Sequence, residues 1–169
     1  IMPNGEMVRQ NQSQFRITNV PAVAALPRTI LVCGGAGFIG SHFIRQLYSA
    51  HPRYTIYNLD ALTYSGNKQN LADLELMESA QPLSERRYHF VYGDICNRPL
   101  LDHLFTERRF DVVVNFAAES HVDRSLCSAY DFVRTNVVGV HNLIDACSRN
   151  RVPRFVQIST DEVYGNVLS

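Results

Sequence analysis

The chain has 169 residues, 46% hydrophobic and 19% charged, which is enough for one domain with a sizeable core. Sixteen basic residues balance sixteen acidic ones, and this neutral charge argues against a protein that binds nucleic acid. No apolar run in the sequence is long enough to span a membrane, and the first residues lack the apolar centre of a secretory signal.

The first 28 residues are polar and then rich in proline and alanine, so we predict a poorly ordered extension or tag over 1–28 and one domain over 29–169. The four cysteines are scattered, with no CxxC pair. We therefore expect no disulfide framework, no metal site and a reducing, cytoplasmic location. They are Cys33, Cys96, Cys127 and Cys147.

Short apolar segments alternate with helical segments from Thr29 onward. The predicted strands are 29–33, 54–59, 88–92, 111–116 and 154–159. The predicted helices cover 41–50, the stretch after Pro99, and about 129–149. This alternation predicts an α/β domain with a doubly wound parallel sheet of the Rossmann type.

The long helix has apolar residues on two sides, so both sides need to be buried. One side would face the sheet. The other would face a partner subunit or a further part of the same chain. The sequence leaves open which side faces the sheet: one carries Tyr130, Val133, Val137, Val140 and Ile144, and the other carries Phe132, Leu143 and Ala146.

A glycine triplet follows the first strand and opens a helix, as a dinucleotide site requires. Gly34 would permit the tight turn, Gly37 would let the backbone approach a pyrophosphate, and Gly40 would let the helix pack closely. We expect Phe38 and Ile39 to cover the loop from within. The alternative is a purely structural glycine turn.

Asp60 ends the second strand, twenty residues after Gly40. A carboxylate there accepts hydrogen bonds from the adenosine ribose and repels a 2′-phosphate. No arginine or lysine lies within 61–63, so NAD is favoured over NADP. The turn at Gly93-Asp94-Ile95 would lie near the adenine, although an acidic turn residue is common without any ligand.

Four runs then resemble a known family: CGGAGFIG at 33–40, DALTYSGNKQNL at 60–71, FAAESHVDRS at 116–125 and STDEVYG at 159–165. The chain resembles an extended short-chain dehydrogenase/reductase, and most closely the dTDP-glucose 4,6-dehydratases, over 29–166. Cys33 departs from the threonine that the family usually has there. The acidic pair in the last run distinguishes this family from sugar-nucleotide epimerases.

The resemblance implies dehydration of dTDP-glucose to dTDP-4-keto-6-deoxyglucose. In this family C4 is oxidised by bound NAD, water is lost across C5 and C6, and the hydride returns to C6. Glu162 would remove the C5 proton and Asp161 would protonate the C6 hydroxyl, with its own pKa raised by burial or a like charge. Thr160 would bind the C4 oxygen. Without the family, Asp161-Glu162 is more typical of an acidic helix start.

The resemblance also assigns the other site residues. Ser120, His121, Arg124 and Thr160 would contact the substrate, although His121 and Arg124 are as well explained by hydrogen bonds within their own loop. The full-length protein would be a homodimer. The predicted cofactor contacts are Gly34, Gly37, Phe38, Ile39, Gly40, Asp60, Ala61, Leu62, Thr63, Gly66, Asp94, Ile95, Phe116, Ala117, Ala118, Glu119, Ser120, Thr135 and Ser159.

None of the eight tyrosines has a lysine four residues later, and Lys68 is the single lysine in the sequence. The family continues through a Tyr-x-x-x-Lys motif into a sugar-binding domain, so we expect a truncated and inactive chain. Two alternatives stay open. One is another NAD-dependent nucleotide-sugar epimerase or decarboxylase, and the other is a non-catalytic nucleotide-binding module.

Overall fold

The computed structural model describes residues 28–120 and 129–165. Five strands are present: β1 (Arg28–Cys33), β2 (Tyr54–Asp60), β3 (Tyr88–Tyr92), β4 (Val112–Asn115) and β5 (Arg154–Gln157). The helices are α1 (Phe38–Ala50), α2 (Ala72–Ser79), α3 (Arg98–Glu107), α4 (Ala129–Val133) and α5 (Val140–Arg149). A π-helical segment (Arg134–Gly139) joins α4 to α5, and 3-10 turns cover Lys68–Leu71 and Asp161–Tyr164.

The five strands form one parallel sheet in the order β3-β2-β1-β4-β5. The order reverses direction next to β1, which is the topological switch point where ligands bind in such sheets. At that end Cys33 pairs with Leu59 on one side and Asn115 on the other. The carboxyl ends of the three central strands therefore lie level, and the predicted doubly wound fold is confirmed.

Alternating residues of the strands build a core on each face of the sheet. On one face Leu31 and Val113 pack with Leu143 of α5 and Phe105 of α3. On the other face Val32 and Ile56 pack with Ile44 of α1 and Leu74 of α2. Burial on both faces explains why β1 reads as a continuous apolar run rather than an alternating one.

The helices differ from the predicted ones in three places. α1 begins at Phe38 rather than Ser41, so the glycine loop is shorter than expected. The 3-10 turn at Lys68–Leu71 and α2 were missed altogether. The long helix is not one continuous α-helix, because its middle six residues are π-helical. Arg28, assigned to the extension, is the first residue of β1.

The long helix does have two different sides. Leu143 and Ala146 are fully buried against the sheet. Tyr130, Val137 and Ile144 are exposed. Burial of that exposed side by a partner subunit or by a further part of the same chain stays a prediction. None of the helices in the described part of the chain has the length and apolar character needed to cross a membrane.

Candidate cofactor site

The glycine loop is shaped by close backbone approaches. Gly34 has a positive φ of 76°, and a Cβ there would lie 2.5 Å from the backbone nitrogen of Ala117. A Cβ on Gly40 would lie 2.4 Å from the Gly34 oxygen, so the first turn of α1 packs directly on the loop. Both glycines are therefore required by the fold itself.

Gly37 differs from these two. Its φ is −74°, which any residue adopts, and the protein atom nearest to an added Cβ would be 3.3 Å away. The backbone conformation does not demand glycine there, and the tight 3.3 Å contact would need a shift of only a few tenths of an ångström. No side chain caps α1, so its first N–H groups are free to meet an anion. Gly37 lines the cleft described below, where a missing side chain leaves room for a ligand.

Gly35 also belongs to the loop, although the triplet spacing did not identify it. A Cβ at this position would lie 2.3 Å from the Asn58 side-chain oxygen and 2.4 Å from Ile44 Cδ1. The sequence feature that could have identified Gly35 is its place as the second residue of a Gly-Gly pair. Gly35 lets α1 and β2 approach each other beneath the loop.

Asp60 is buried and holds the loop in place. Its Oδ2 accepts a 2.8 Å hydrogen bond from the Ala36 N–H, and its Oδ1 accepts a 2.8 Å bond from the Leu62 N–H. A Cβ on Gly66 would come within 2.7 Å of Oδ1. Each carboxylate oxygen keeps a second lone pair, so Asp60 can bind a ribose hydroxyl and fix the loop together.

Phe38 and Ile39 do not cover the loop from within, so that prediction is wrong. Their side chains are 77% and 63% exposed. Both lie in the first turn of α1, where the face toward the loop is taken by Gly40 and Ser41. Phe38 packs instead edge-on against His42 on the outer surface of the helix.

A cleft of 310 Å³ opens at the carboxyl ends of the central strands. It brings together most of the predicted cofactor residues and adds some that the prediction did not include. The predicted residues that line it are Gly34, Gly37, Asp60, Ala61, Thr63, Gly66, Asp94, Ile95, Phe116, Ala117, Ala118, Glu119 and Thr135. The additional ones are Leu59, Tyr64, Ser65, Gly93, Asp131 and Arg134. The predicted contacts that lie outside its lining are Phe38, Ile39, Gly40, Leu62, Ser120, Ser159 and Thr160.

Two asparagines that sequence reasoning missed hold the wall formed by the segment after β4. The Asn115 side chain accepts from the Ala117 N–H and donates to the Gln157 side chain of β5. Asn136 of the π-helical segment makes two bonds to the backbone of Glu119, at 2.9 and 2.8 Å. These bonds fix residues 117–119 beside the glycine loop.

The turn after β3 is held by charge as well as by hydrogen bonds. Asp94 Oδ2 lies 2.5 Å from the Arg134 guanidinium, and Oδ1 accepts a 2.8 Å bond from the Cys96 N–H. Burial alone raises the pKa of the Asp94 carboxyl, but these two donors outweigh it and lower that pKa. Asp94 is thus an anion at the edge of the cleft.

The predicted catalytic residues follow β5. Thr160 and Ser159 are exposed, and the 3-10 turn begins at Asp161. The side chains of Asp161 and Glu162 lie outside the described part of the structure, as do His121 and Arg124 entirely. Ser120 is exposed at the end of the segment after β4. Across the described residues, no group of three or more His, Cys, Asp or Glu side chains is placed to hold a metal ion.

The described cysteines are free thiols. Burial raises the pKa of the Cys147 thiol to about 11 and moves that of Cys33 further in the same direction. The Cys96 pKa is also raised to about 11, first by burial and then by Asp94. These three thiols are therefore protonated at neutral pH and serve as packing groups. Cys127 lies outside the described residues.

The fold and cleft agree with a comparison against known families. The model of the family described as GDP-mannose 4,6 dehydratase matches residues 31–169, which is most of the chain. The chain belongs to this family.

Individual relatives are more specific about the type of enzyme. The dTDP-glucose 4,6-dehydratase of Streptomyces niveus is 50% identical over 145 residues, covering 82% of this chain and 39% of that protein. The chain thus spans about two fifths of the length of the curated relatives that it matches. The resemblance to dTDP-glucose 4,6-dehydratases inferred from the sequence is confirmed.

Solved structures of relatives agree with the predicted Rossmann-type fold and with NAD as the cofactor. The dTDP-glucose 4,6-dehydratase of Streptomyces venezuelae, solved with NAD bound, is 47% identical with a TM-score of 0.72. It matches 83% of this chain, and the match covers 42% of that enzyme. The UDP-Glc/GlcNAc 4-epimerase of Campylobacter jejuni is 32% identical with a TM-score of 0.73, over 84% of this chain and 40% of that one.

Proposed function

We propose that the cleft binds NAD, with its pyrophosphate over Gly37 and its adenosine ribose on Asp60. One observation carries this proposal. Gly37 faces the cleft, yet its φ of −74° does not require a glycine, and its packing would admit a Cβ after a shift of a few tenths of an ångström. A ligand that approaches the backbone at that point supplies the missing reason. The uncapped start of α1 adds the positive end of a helix dipole for the pyrophosphate.

NAD is favoured over NADP by the charge around Asp60. A 2′-phosphate would meet the buried carboxylate, and Ala61, Leu62 and Thr63 offer no compensating cation. Calorimetric titration of the chain tests this choice. We expect NAD⁺ to bind and NADP⁺ to bind at least about tenfold more weakly, which corresponds to about 1.4 kcal/mol. Equal binding of the two, or no binding of NAD⁺, would refute the assignment.

We further propose that the full-length protein dehydrates dTDP-glucose. Bound NAD supplies a reversible hydride acceptor for C4 of the sugar. In the proposal, Glu162 accepts the C5 proton, which is acidic once C4 is a ketone, and Asp161 gives a proton to the departing C6 hydroxyl. Thr160 donates a hydrogen bond to the C4 oxygen. The support is the run 159–165 directly after β5, at the same edge as the glycine loop, together with the dehydratase relatives.

Product analysis with the full-length gene product tests the reaction. Given dTDP-glucose deuterated at C4, it should release one water and carry the deuterium to C6. With the Glu162→Gln variant, C5 proton exchange and water loss should both stop. If the native enzyme returns the sugar with its C6 hydroxyl intact, the dehydratase proposal fails. By contrast, we expect the 169-residue chain to bind NAD without turnover, because it contains no Tyr-x-x-x-Lys motif.

A 4-epimerase is the second candidate, since the Campylobacter enzyme matches this fold with a TM-score of 0.73. An epimerase needs no acid and base at C5 and C6, so it gives no role to Asp161 and Glu162. The same assay run with UDP-glucose separates the two. A C4 epimer formed from UDP-glucose, without loss of water, would favour this candidate.

A further inference from the structure

Arg134 lines the cofactor cleft, and no sequence motif assigns it a role. We propose that Arg134 is a positioning residue that fixes the Asp94 carboxylate for the adenine end of the cofactor. This inference rests on the proposed NAD site. It adds a charged determinant from the π-helical segment to a site built mainly by the segments after β1, β2, β3 and β4.

The first support is the geometry of the ion pair. The Arg134 guanidinium lies 2.5 Å from Asp94 Oδ2, while the Cys96 N–H binds Oδ1 at 2.8 Å. Each oxygen of Asp94 thus has one donor, and together the two donors define the plane of the carboxylate. A carboxylate held in this way presents its remaining lone pairs in fixed directions, as recognition of an adenine amino group requires.

The second support is that the backbone of Arg134 is tied to the same turn. The Cys96 thiol donates a 3.2 Å hydrogen bond to the Arg134 oxygen. Further along the helix, Asn142 donates to the Ile95 and Cys96 oxygens, and a Cβ on Gly139 would lie 2.6 Å from the Ile95 side chain. The turn at 94–96 therefore packs along one face of the long helix, from Asn142 to Arg134. Arg134 is the residue of this contact that lines the cleft.

The third support is charge. Among the described residues, Arg134 is the one lysine or arginine that lines the cleft, against the carboxylates of Asp60, Asp94, Glu119 and Asp131. Loss of the Arg134 charge would leave the Asp94 carboxylate without its ion-pair partner at the adenine end of the cleft. Arg134 therefore positions Asp94 and also offsets its charge.

Titration of the chain with ADP-ribose and with nicotinamide mononucleotide tests the proposal. Arg134→Gln should weaken ADP-ribose about fivefold, the size expected for a half-exposed ion pair, and leave nicotinamide mononucleotide within twofold. Arg134→Lys, which keeps the charge, should recover most of the affinity. The matched control is Arg149→Gln in α5, which breaks ion pairs to Asp102 of α3 and Asp145 of α5. None of these three residues lines the cleft.

A double-mutant cycle with Asp94→Asn identifies the route of the effect. If Arg134 acts through Asp94, adding Arg134→Gln to Asp94→Asn should cost little further ADP-ribose affinity. Fully additive losses would overturn the proposal, and so would a uniform loss for both ligands with a lowered unfolding midpoint. If the native chain binds neither NAD⁺ nor ADP-ribose, the proposed function fails as well. If it binds both and Arg134→Gln matches it, the positioning role alone fails.

Discussion

Two glycines near the start of α1 differ in what an added methyl group would meet. At Gly40 it would lie 2.4 Å from a backbone oxygen, so Gly40→Ala should lower the free energy of unfolding by about 1–3 kcal/mol. At Gly37 the nearest protein atom is 3.3 Å away, so Gly37→Ala needs a much smaller shift and should lose much less stability than Gly40→Ala. The same methyl group stands in the cleft, and NAD⁺ affinity should fall at least about tenfold. Urea denaturation and calorimetry measure the two effects.

Each glycine variant is the control for the other. Gly37→Ala should lose NAD⁺ affinity with little loss of stability. Gly40→Ala should lose both, because the Gly40 methyl group displaces the loop itself. If Gly37→Ala binds NAD⁺ as the native chain does, the pyrophosphate does not lie over this residue. The observation that carries the proposed function would then be lost.

Asp60 has a structural role that can be measured without any ligand. Both of its oxygens accept backbone N–H bonds, so Asp60→Asn must turn an amide NH₂ toward one of these donors. Leaving that N–H unsatisfied should lower the free energy of unfolding by about 1–3 kcal/mol. Asp73→Asn is the control, since Asp73 pairs with Arg45 at the surface. A variant at position 60 as stable as the native chain would show that the loop does not depend on this carboxylate.

The roles of single residues could be predicted from the sequence where those roles depend on neighbouring residues in the chain. The positive φ at Gly34 and the position of Asp60 follow from a strand, a turn and a helix in succession. Asn136 could not be predicted, because its two partners are backbone atoms of Glu119, seventeen residues earlier. Such bonds depend on tertiary placement and leave no spacing in the sequence. Phe38 was misassigned because an apolar residue beside a ligand loop need not point inward.

At the scale of elements, Glu78 ties α2 to β3. Its carboxylate accepts bonds from the Tyr48 hydroxyl and from the backbone N–H groups of Arg87 and Tyr88. The Arg87 guanidinium stacks on the Tyr48 ring 3.8 Å from its centre and donates to carbonyls near the end of α1. One buried carboxylate thus joins α1, α2 and the start of β3.

This arrangement predicts a pH dependence of stability. Burial by itself raises the Glu78 pKa, but the Tyr48 and backbone hydrogen bonds and the Arg87 charge lower it overall. A lowered pKa stabilises the fold above the ordinary glutamate value of about 4.3, and that stabilisation is lost as pH falls through the folded-state value. Glu78→Gln should therefore cost about 1–3 kcal/mol at neutral pH, and the cost should shrink below about pH 4.

Urea denaturation across pH measures this difference, and Glu85→Gln is the matched control. Glu85 is exposed in the same connection, so its substitution should leave the free energy of unfolding nearly unchanged at every pH. A cost at Glu78 that stays constant down to low pH would mean that side-chain shape matters there rather than charge.

Elements were predictable where the hydrophobic pattern was strong. β3 lies where its apolar run predicted it. The missed α2 had a usable signal, because Leu71, Leu74 and Glu78 fall three and four residues apart and are all buried. One of the three is acidic, which weakened the pattern. The π-helical segment at 134–139 leaves no such trace, since local preferences hardly separate it from an α-helix.

At the scale of the whole molecule, the cleft exists because loops from neighbouring strands end level and are tied to one another. Asp60 joins the loops after β1 and β2, Asn115 joins β4 to β5, and Arg134 joins the turn after β3 to the long helix. The parallel sheet was predictable from alternation alone. These ties were not, because each one links residues at least 24 positions apart in the chain.

The exposed side of the long helix gives a prediction about assembly. Tyr130, Val133, Val137 and Ile144 are 49–74% exposed and lie along one side, an unusual apolar surface for a helix otherwise packed on a sheet. We expect two copies of the chain to associate through it. Val137→Glu combined with Ile144→Glu should turn a dimer into a monomer in sedimentation velocity. Far-ultraviolet circular dichroism should be unchanged, because both side chains are already exposed.

Gln46→Glu is the control, since it adds a charge at an exposed position of α1, which packs on the opposite face of the sheet, and it should sediment as the native chain does. Dimer formation should also make the unfolding midpoint of the native chain rise with protein concentration, whereas the midpoint of the double variant should not. If the native chain is monomeric at high concentration, self-association does not cover this face. The remaining explanation from the sequence would then be burial beneath a further part of the same polypeptide.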